Sequence, residues 1–459
     1  MTGPLTTATP VRRTAVTWID RGSLAAMLIM SAVVGVLNFY ARHEFHTIEK
    51  HLVFRARILH GFAVDDVLPG YPIPPTFPMW GYGWVLLLTT NKAVLIALQM
   101  AAAVAAAWYL LRVIAGTGLL GGPARIVLSL LVVCCTPWYA YHSIDWSQSL
   151  ATSCLIVSVA LLIRAADTES ARATALALSA LCLGLNLNFA SDLYLLPIPL
   201  AVAYWWCRGA SRAAAAQALV WLLGVALTLV PWMIYSWRAT GMPLVKSTNQ
   251  GHVLLLGLGQ DPKGRFGFTY SDGDARMYAI LRDQLGDAFA RRFYASCSYE
   301  ADRVLRPAFV KAVLNQPWDF ADLFQIKLRR IVTGDVGTYA GEFDHDENVG
   351  QFGIGVRVRN HLSLLSQRTG RLLQAATSLC APFAVAAARR RRAWALVLTP
   401  IVYQYLSCSF AALMPQYLSN VILLQLVVCA HACGMLVPDR LSDASVQRLR
   451  ESSTVPLTE

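Results

Sequence analysis

The stretch Lys92-Ala-Val-Leu-Ile-Ala-Leu-Gln-Met-Ala-Ala-Ala-Val-Ala-Ala-Ala-Trp-Tyr-Leu-Leu-Arg-Val-Ile114 carries no charge between its Lys and Arg112. A helix rises about 1.5 Å per residue, so a run of this length crosses a hydrocarbon core roughly 30 Å thick. Nine more segments share the pattern, at residues 22–41, 123–141, 148–164, 172–189, 191–207, 213–236, 371–388, 393–413 and 417–437. The composition agrees: 56% of residues are hydrophobic and 14% charged, against about 25% charged in a soluble domain. The chain therefore reads as an all-α polytopic membrane protein of about ten transmembrane helices.

Two hydrophilic stretches interrupt it, at about 42–78 after the first span and at 237–370 after the seventh. Both follow an odd-numbered span, so both fall on one side of the bilayer. The expected organisation is an N-terminal transmembrane module (1–236), a large loop region with amphipathic helices (237–370), C-terminal transmembrane helices (371–437) and a tail (438–459). Orientation follows from the short loops, because these carry an excess of Lys and Arg on the cytoplasmic side. Arg12, Arg13 and Arg21, then Arg125, Arg164, Arg172, Arg208, Arg212, the run Arg389 to Arg392 and Arg440 all fall on one side. The opposite hairpins, near 141–147, 188–192 and 414–417, hold neither Lys nor Arg. Both termini are expected in the cytoplasm, the two long loops outside, and the protein in a plasma membrane of the bacterial inner-membrane type. Residues 1–21 are polar and run into a full-length span, which predicts an uncleaved first helix.

The net charge of +12 is largely this one-sided Arg excess, so no nucleic-acid partner is implied. Of ten cysteines, only Cys297 lies in an outer loop, and no Cys or His spacing matches a zinc site. No glycine-rich phosphate loop is present. Asp344-His-Asp-Glu347 has oxygen ligands of the kind a divalent cation takes, so the sequence names no cofactor and leaves only a divalent cation open.

The first loop contains Glu49-Lys-His-Leu-Val-Phe-Arg55-Ala-Arg57-Ile-Leu, whose apolar residues fall on one helical face, and then a proline-rich run from Pro69 to Pro78. Acids near the outer mouth of the bundle are Glu44, Glu49, Asp65, Asp66, Asp145 and Asp192. A carboxylate at the end of a span is costly to desolvate and usually has a partner or a task; Glu49 and Asp145 face the two loops most directly. His43, His46, His51 and His60 are spaced as in an ordinary interfacial helix. The large loop opens on Pro231-Trp232-Met-Ile-Tyr235-Ser-Trp237-Arg238-Ala-Thr-Gly241 and continues through Lys246, Thr248, Gly251, Leu254 and Gly257. From Pro317 an amphipathic helix is expected along the membrane surface.

At these residues the chain resembles the GT-C superfamily of integral-membrane glycosyltransferases, which includes protein O-mannosyltransferases and the lipid A aminoarabinose transferase. The resemblance rests on Pro231, Trp232, Trp237, Arg238, Gly241, Thr248, Gly251, Leu254 and Gly257; on Glu49 ahead of Ala56-Arg57-Ile58-Leu59 and Pro74-Pro75; on Gly184-Leu…Ser191-Asp192-Leu-Tyr-Leu-Leu-Pro197; and on Gln416-Tyr417-Leu418. Tyr235-Ser236 stands where the family has Arg-Asn, and Ala190 and Gln416 also replace family arginines. The resemblance implies a polyprenyl-phosphate sugar donor, because a nucleotide sugar is not available outside the cell, and a lipid, glycan or protein acceptor in the envelope. Such a site needs a cation for the phosphate and a carboxylate to take the acceptor proton. The expected roles are Glu49 or Asp145 as base in an inverting displacement, with Arg55, Arg57, Arg238 or Lys246 on the phosphate, and Asp192, Tyr235 and Tyr417 as further outer-face candidates. The other readings are a ligase or polymerase of surface polysaccharide, a flippase or transporter of lipid-linked sugar, and a scaffold without catalysis.

Overall fold

The computed structural model describes residues 10–41, 49–59, 74–77, 79–144, 146–292, 294–336 and 353–436, and every regular element among them is helical. In chain order these are α1 (Pro10–Ala41), α2 (Glu49–Leu59), α3 (Gly81–Leu88), α4 (Lys92–Thr117), α5 (Gly122–Val133), α6 (Thr136–His142), α7 (Ser147–Asp167), α8 (Arg172–Phe189), α9 (Pro197–Cys207) and α10 (Arg212–Thr240). There follow α11 (Gln250–Leu258), α12 (Ala275–Leu285), α13 (Asp287–Ala290), α14 (Tyr299–Asn315), α15 (Pro317–Val332), α16 (Gly353–Arg390), α17 (Trp394–Phe410), α18 (Pro415–Leu418) and α19 (Ile422–Leu436).

Six stretches are helical, long and apolar enough to cross a membrane: α4, α7, α8, α10, residues 364–390 of α16, and 415–436; α5 and α6, bent by 45°, make a seventh if taken as one span. The apolar parts of α1 (Arg21–Val36) and all of α17 are shorter. Where ten even spans are expected from hydropathy, the departures have local causes. Pro137 opens α6 after a break at Cys134 and Cys135; with no N–H and a fixed φ, proline starts a helix more readily than it continues one. The expected 191–207 span begins as a 3₁₀ turn at Ser191–Leu193 and becomes α-helical only at Pro197.

The bundle is tightened by small and hydroxylated residues, as expected where lipid offers no hydrophobic drive between helices. Gly184 of α8 meets Thr228 of α10 so closely that a Cβ would overlap the threonine side chain. Ser158 of α7 and Ser179 of α8 hydrogen-bond each other, and the buried Trp221 indole of α10 donates to Ser179 Oγ at 3.1 Å.

At one end of the bundle the two loop regions meet. α2 and α3 sit against the last turns of α10 in an aromatic nest of Phe54, Trp80, Trp232 and Tyr235, and Trp80 Nε1 donates to Asn188 Oδ1 at 2.9 Å. Thr76 and Thr248 hydroxyls lie 3.0 Å apart, joining the two loops directly. Helices α11 to α15 build a core of their own around Leu255, Phe266, Met277, Leu305, Phe309 and Leu323. Arg265 binds Asp261, Asp319 and Asp322 at 2.8–2.9 Å, tying the turn after α11 to α15. This unit grips the segment between α17 and α18. Gln260 exchanges two hydrogen bonds with the Leu413 backbone, at 2.7 and 2.8 Å. Lys327 of α15 donates to Ala411 O at 2.5 Å, and Gly257 lies so close to that carbonyl that a Cβ would overlap it.

Candidate functional site

Beneath the α11–α15 unit, the start of α7, the end of α8 with the turn after it, the last turns of α17, and α18 line a cavity of about 1180 Å³. Its floor carries Asp192, in the turn between α8 and α9. Asn420 Nδ2 donates to Asp192 Oδ2 at 2.7 Å, and Tyr194, Tyr403, Tyr417 and Cys408 stand around the carboxyl. Burial pushes the Asp192 pKa up to about 6, against the opposing pull of its own backbone N–H and of Asn420. A carboxyl poised there is ionised at neutral pH and basic enough to accept a proton from an attacking hydroxyl.

The wall above holds Lys246, whose Nζ lies 4.4 Å over the Tyr194 ring, while Gln250 Nε2 donates to the Tyr194 hydroxyl at 3.3 Å. Burial and, less strongly, Arg306 bring the Lys246 pKa down to about 7 against the opposing pull of Asp302. An anionic ligand would supply the counter-charge that burial withholds, which suits this ammonium to a phosphate. Asp302 is held in place by Gly251 N at 2.6 Å and by an i,i+4 pair with Arg306. Opposite, His252 Nε2 and Asp272 Oδ1 are 2.9 Å apart, and Arg291 and Arg292 stand at the rim.

One flank of the cavity is different. Leu195, Leu406 and Phe410 line it and are 45%, 46% and 47% exposed. They continue a row of outward apolar side chains, Ile198 and Val202 on α9 and Val402 on α17. The polar chamber thus shares a wall with the outer apolar surface of the bundle.

Of the residues singled out from the sequence, the structure brings Asp192, Lys246 and Tyr417 to this cavity. Four others are elsewhere. Arg55 Nε donates to Leu86 O at 2.9 Å, fastening α2 to the end of α3. Arg57 is buried beside Phe54 and within hydrogen-bond reach of the Tyr235 hydroxyl, and that hydroxyl donates to Pro75 O at 2.8 Å. Arg238 is exposed near the end of α10. Glu49 opens α2, but its side chain lies outside the described residues, as does Asp145; their neighbours His51 and Trp146 line the cavity. Glu44, Asp65, Asp66, His43, His46, His60, Asp344–Glu347 and the 438–459 tail are outside them too. Among the described residues no three His, Cys, Asp or Glu side chains converge as a metal would require.

Asn420, His252 and Asp272 are site residues that the sequence reading does not single out, and Tyr194 figures there only as part of the Ser191–Pro197 motif. Asn420 had a signal, since it is a carboxamide inside an apolar segment, where polar side chains are costly and tend to be functional. His252 and Asp272 had none, because their pairing depends on the turn after α11. No family model matches the chain, and no curated protein is similar to it at a significant level.

Proposed function

We propose that this protein is a membrane glycosyltransferase that takes a sugar from a polyprenyl-phosphate donor and passes it to an envelope acceptor on the outer side of the membrane. The observation that carries the reading is one cavity holding a desolvated carboxylate and a desolvated ammonium, with a flank continuous with the lipid-facing surface. A water-soluble substrate needs no such flank; a lipid-linked one does. The donor chain lies along Leu195, Leu406 and Phe410, its phosphate meets Lys246, and Asp192 takes the proton of the attacking hydroxyl. The hydroxyl oxygen then bonds to the anomeric carbon from the face opposite the leaving lipid phosphate, with inversion. Glu49 and Asp145 belong to segments bordering the same chamber and share in binding the acceptor or its proton.

This reading takes the chain as a GT-C-like protein of ten spans, in which α1, α9 and α17 cross obliquely or in shortened form beside the longer helices. Both termini and the arginine-rich loops then lie in the cytoplasm. A second variant of the reading draws on the size of the chamber. At about 1180 Å³ it exceeds the roughly 300–1,000 Å³ of ordinary small-molecule pockets, which leaves room for a lipid-linked glycan as donor in place of a single sugar, as in a polysaccharide ligase.

The test is to incubate the purified protein with radiolabelled polyprenyl-phosphate sugars and envelope acceptors. Label appearing on the acceptor, with the released lipid phosphate, supports the reading. Movement of donor across vesicles without any transfer would replace it with a flippase.

A further inference from the structure

Asp192 is held by a buried polar chain drawn from four separate elements. The Asn420 carboxamide, in the turn between α18 and α19, accepts at Oδ1 from Thr152 Oγ1 of α7 at 2.6 Å and from the Tyr141 hydroxyl of α6 at 3.4 Å. Its Nδ2 donates to Asp192 Oδ2 at 2.7 Å. Tyr141, Thr152 and Asn420 are each at most 2% exposed, so water does not compete for these groups.

The direction of the chain matters. In the structure the N–H side of the carboxamide faces Asp192, and the Thr152 and Tyr141 hydroxyls, which can donate or accept, hold it so by donating to Oδ1. A donor at Oδ2 favours the ionised carboxyl, whereas a reversed carboxamide would favour the protonated acid. We propose that Asn420 is a positioning residue, oriented by Thr152 and Tyr141, that keeps Asp192 a carboxylate in its desolvated setting and leaves Oδ1 as the oxygen that receives the acceptor proton. The inference rests on the glycosyltransferase reading only in that last clause; the control of ionisation stands without it.

The groups facing Asp192 are Tyr194 of its own turn, Tyr403 and Cys408 of α17, and Tyr417 of α18; Lys246 lies across the Tyr194 ring, and the mostly exposed Asp272 faces Tyr417. Phenols and thiols ordinarily ionise above about pH 8, whereas Lys246 titrates near 7, so Asp192 is followed through its own carboxyl band and not through the charge around it. The experiment is infrared titration of the full-length protein, with the Asp192 carboxyl band assigned by its disappearance in Asp192→Asn. Removing the donor in Asn420→Leu is expected to move the midpoint of that band upward by about one pH unit. Thr152→Val, which keeps the volume and removes the hydroxyl, is expected to move it upward by less, and Thr152→Ser to return it to the wild-type midpoint. If Asn420→Leu fails to fold, the threonine pair carries the test. An unchanged midpoint in the folded variants would overturn the inference. A shifted midpoint in a protein that transfers no sugar would uphold Asn420's role and remove the glycosyltransferase reading alone.

Discussion

The two ends of the bundle use charge in opposite ways. At the arginine-rich end, cations close helix C-termini: Arg172 Nε donates to Ala165 O at 3.1 Å and Arg208 Nη1 to Ala166 O at 3.2 Å, both at the end of α7. Arg391 donates to Gly118 O just past α4, and Arg392 Nη1 to Trp206 O in α9 at 3.4 Å. Each donates to a carbonyl at or just past a helix C-terminus, and each places positive charge against the negative end of a helix dipole. These arginines are exposed or part-exposed and locally matched. At the cavity end α7 and α9 begin instead of ending, and the chamber holds, besides His252, Asp272, Arg291 and Arg292, a half-buried carboxyl and a half-buried ammonium 4.4 Å from the Tyr194 ring. Matched charge on a surface is cheap and dispensable; charge held in a desolvated chamber is costly, and a fold keeps it where it is used.

Substitutions at the two ends should therefore differ by orders of magnitude. Asp192→Asn is expected to lower the transfer rate by about 10²–10⁴, the usual contribution of a general base, with no loss of thermal stability. Its ionisation opposes folding. A carboxyl whose folded pKa is raised to about 6 binds protons more readily folded than unfolded, so the stability it contributes is complete below about pH 4 and is lost as pH rises through 6. Thermal unfolding at pH 7 should consequently show the Asn variant equal to or more stable than wild type, while the rate assay shows it strongly slowed.

Lys246→Gln comes next. Losing a charge-assisted bond of about 1.5–3 kcal/mol is expected to raise the donor KM about 10–100-fold with a smaller effect on kcat. The pH profile carries the same distinction. Activity should rise with pH through about 6 as Asp192 ionises, and kcat/KM should fall above about 7 as Lys246 of the empty protein loses its proton. Lys246→Gln should remove the upper limb and leave the lower one.

Packing between the ends is expected to show an intermediate effect of a different kind. Gly184→Ala places a methyl into Thr228 and should cost about 1–3 kcal/mol in unfolding, visible as a lower Tm without a changed pH profile. Thr228→Ala in the same protein should restore part of it.

How much of this could be read from the chain differs between the two ends as well. Segments set by hydrophobic length alone were legible: 172–189 and the α8 helix coincide, and α4, α7 and α10 run three to four residues past the expected segments at their C-terminal ends and at most one at their N-terminal ends. Pro137 and Pro197 carried the breaks that hydropathy smoothed over. Asp192 and Tyr417 were legible as polar groups at span ends, and Lys246 as a cation early in the large loop. What spacing could not give was partnership: Asn420 lies 228 residues from Asp192, and only the fold brings them together. Arg55 and Arg57 had the residue type for a phosphate ligand, but their position on α2 commits them to Leu86 O and to the Phe54–Tyr235 nest.

The smallest expected effect is at the arginine end. Arg208→Ala should change unfolding by at most about 1 kcal/mol, the range of a cation at an exposed helix C-terminus, and leave donor KM and kcat as they are.

The most direct test of the central claim is a time course of radiolabelled sugar transfer in proteoliposomes, run side by side with wild type, Asp192→Asn and Arg208→Ala at pH 7. Full activity in Arg208→Ala with loss of at least about a hundredfold in folded Asp192→Asn is the result expected of a working cavity end. Equal transfer by Asp192→Asn and wild type would contradict it.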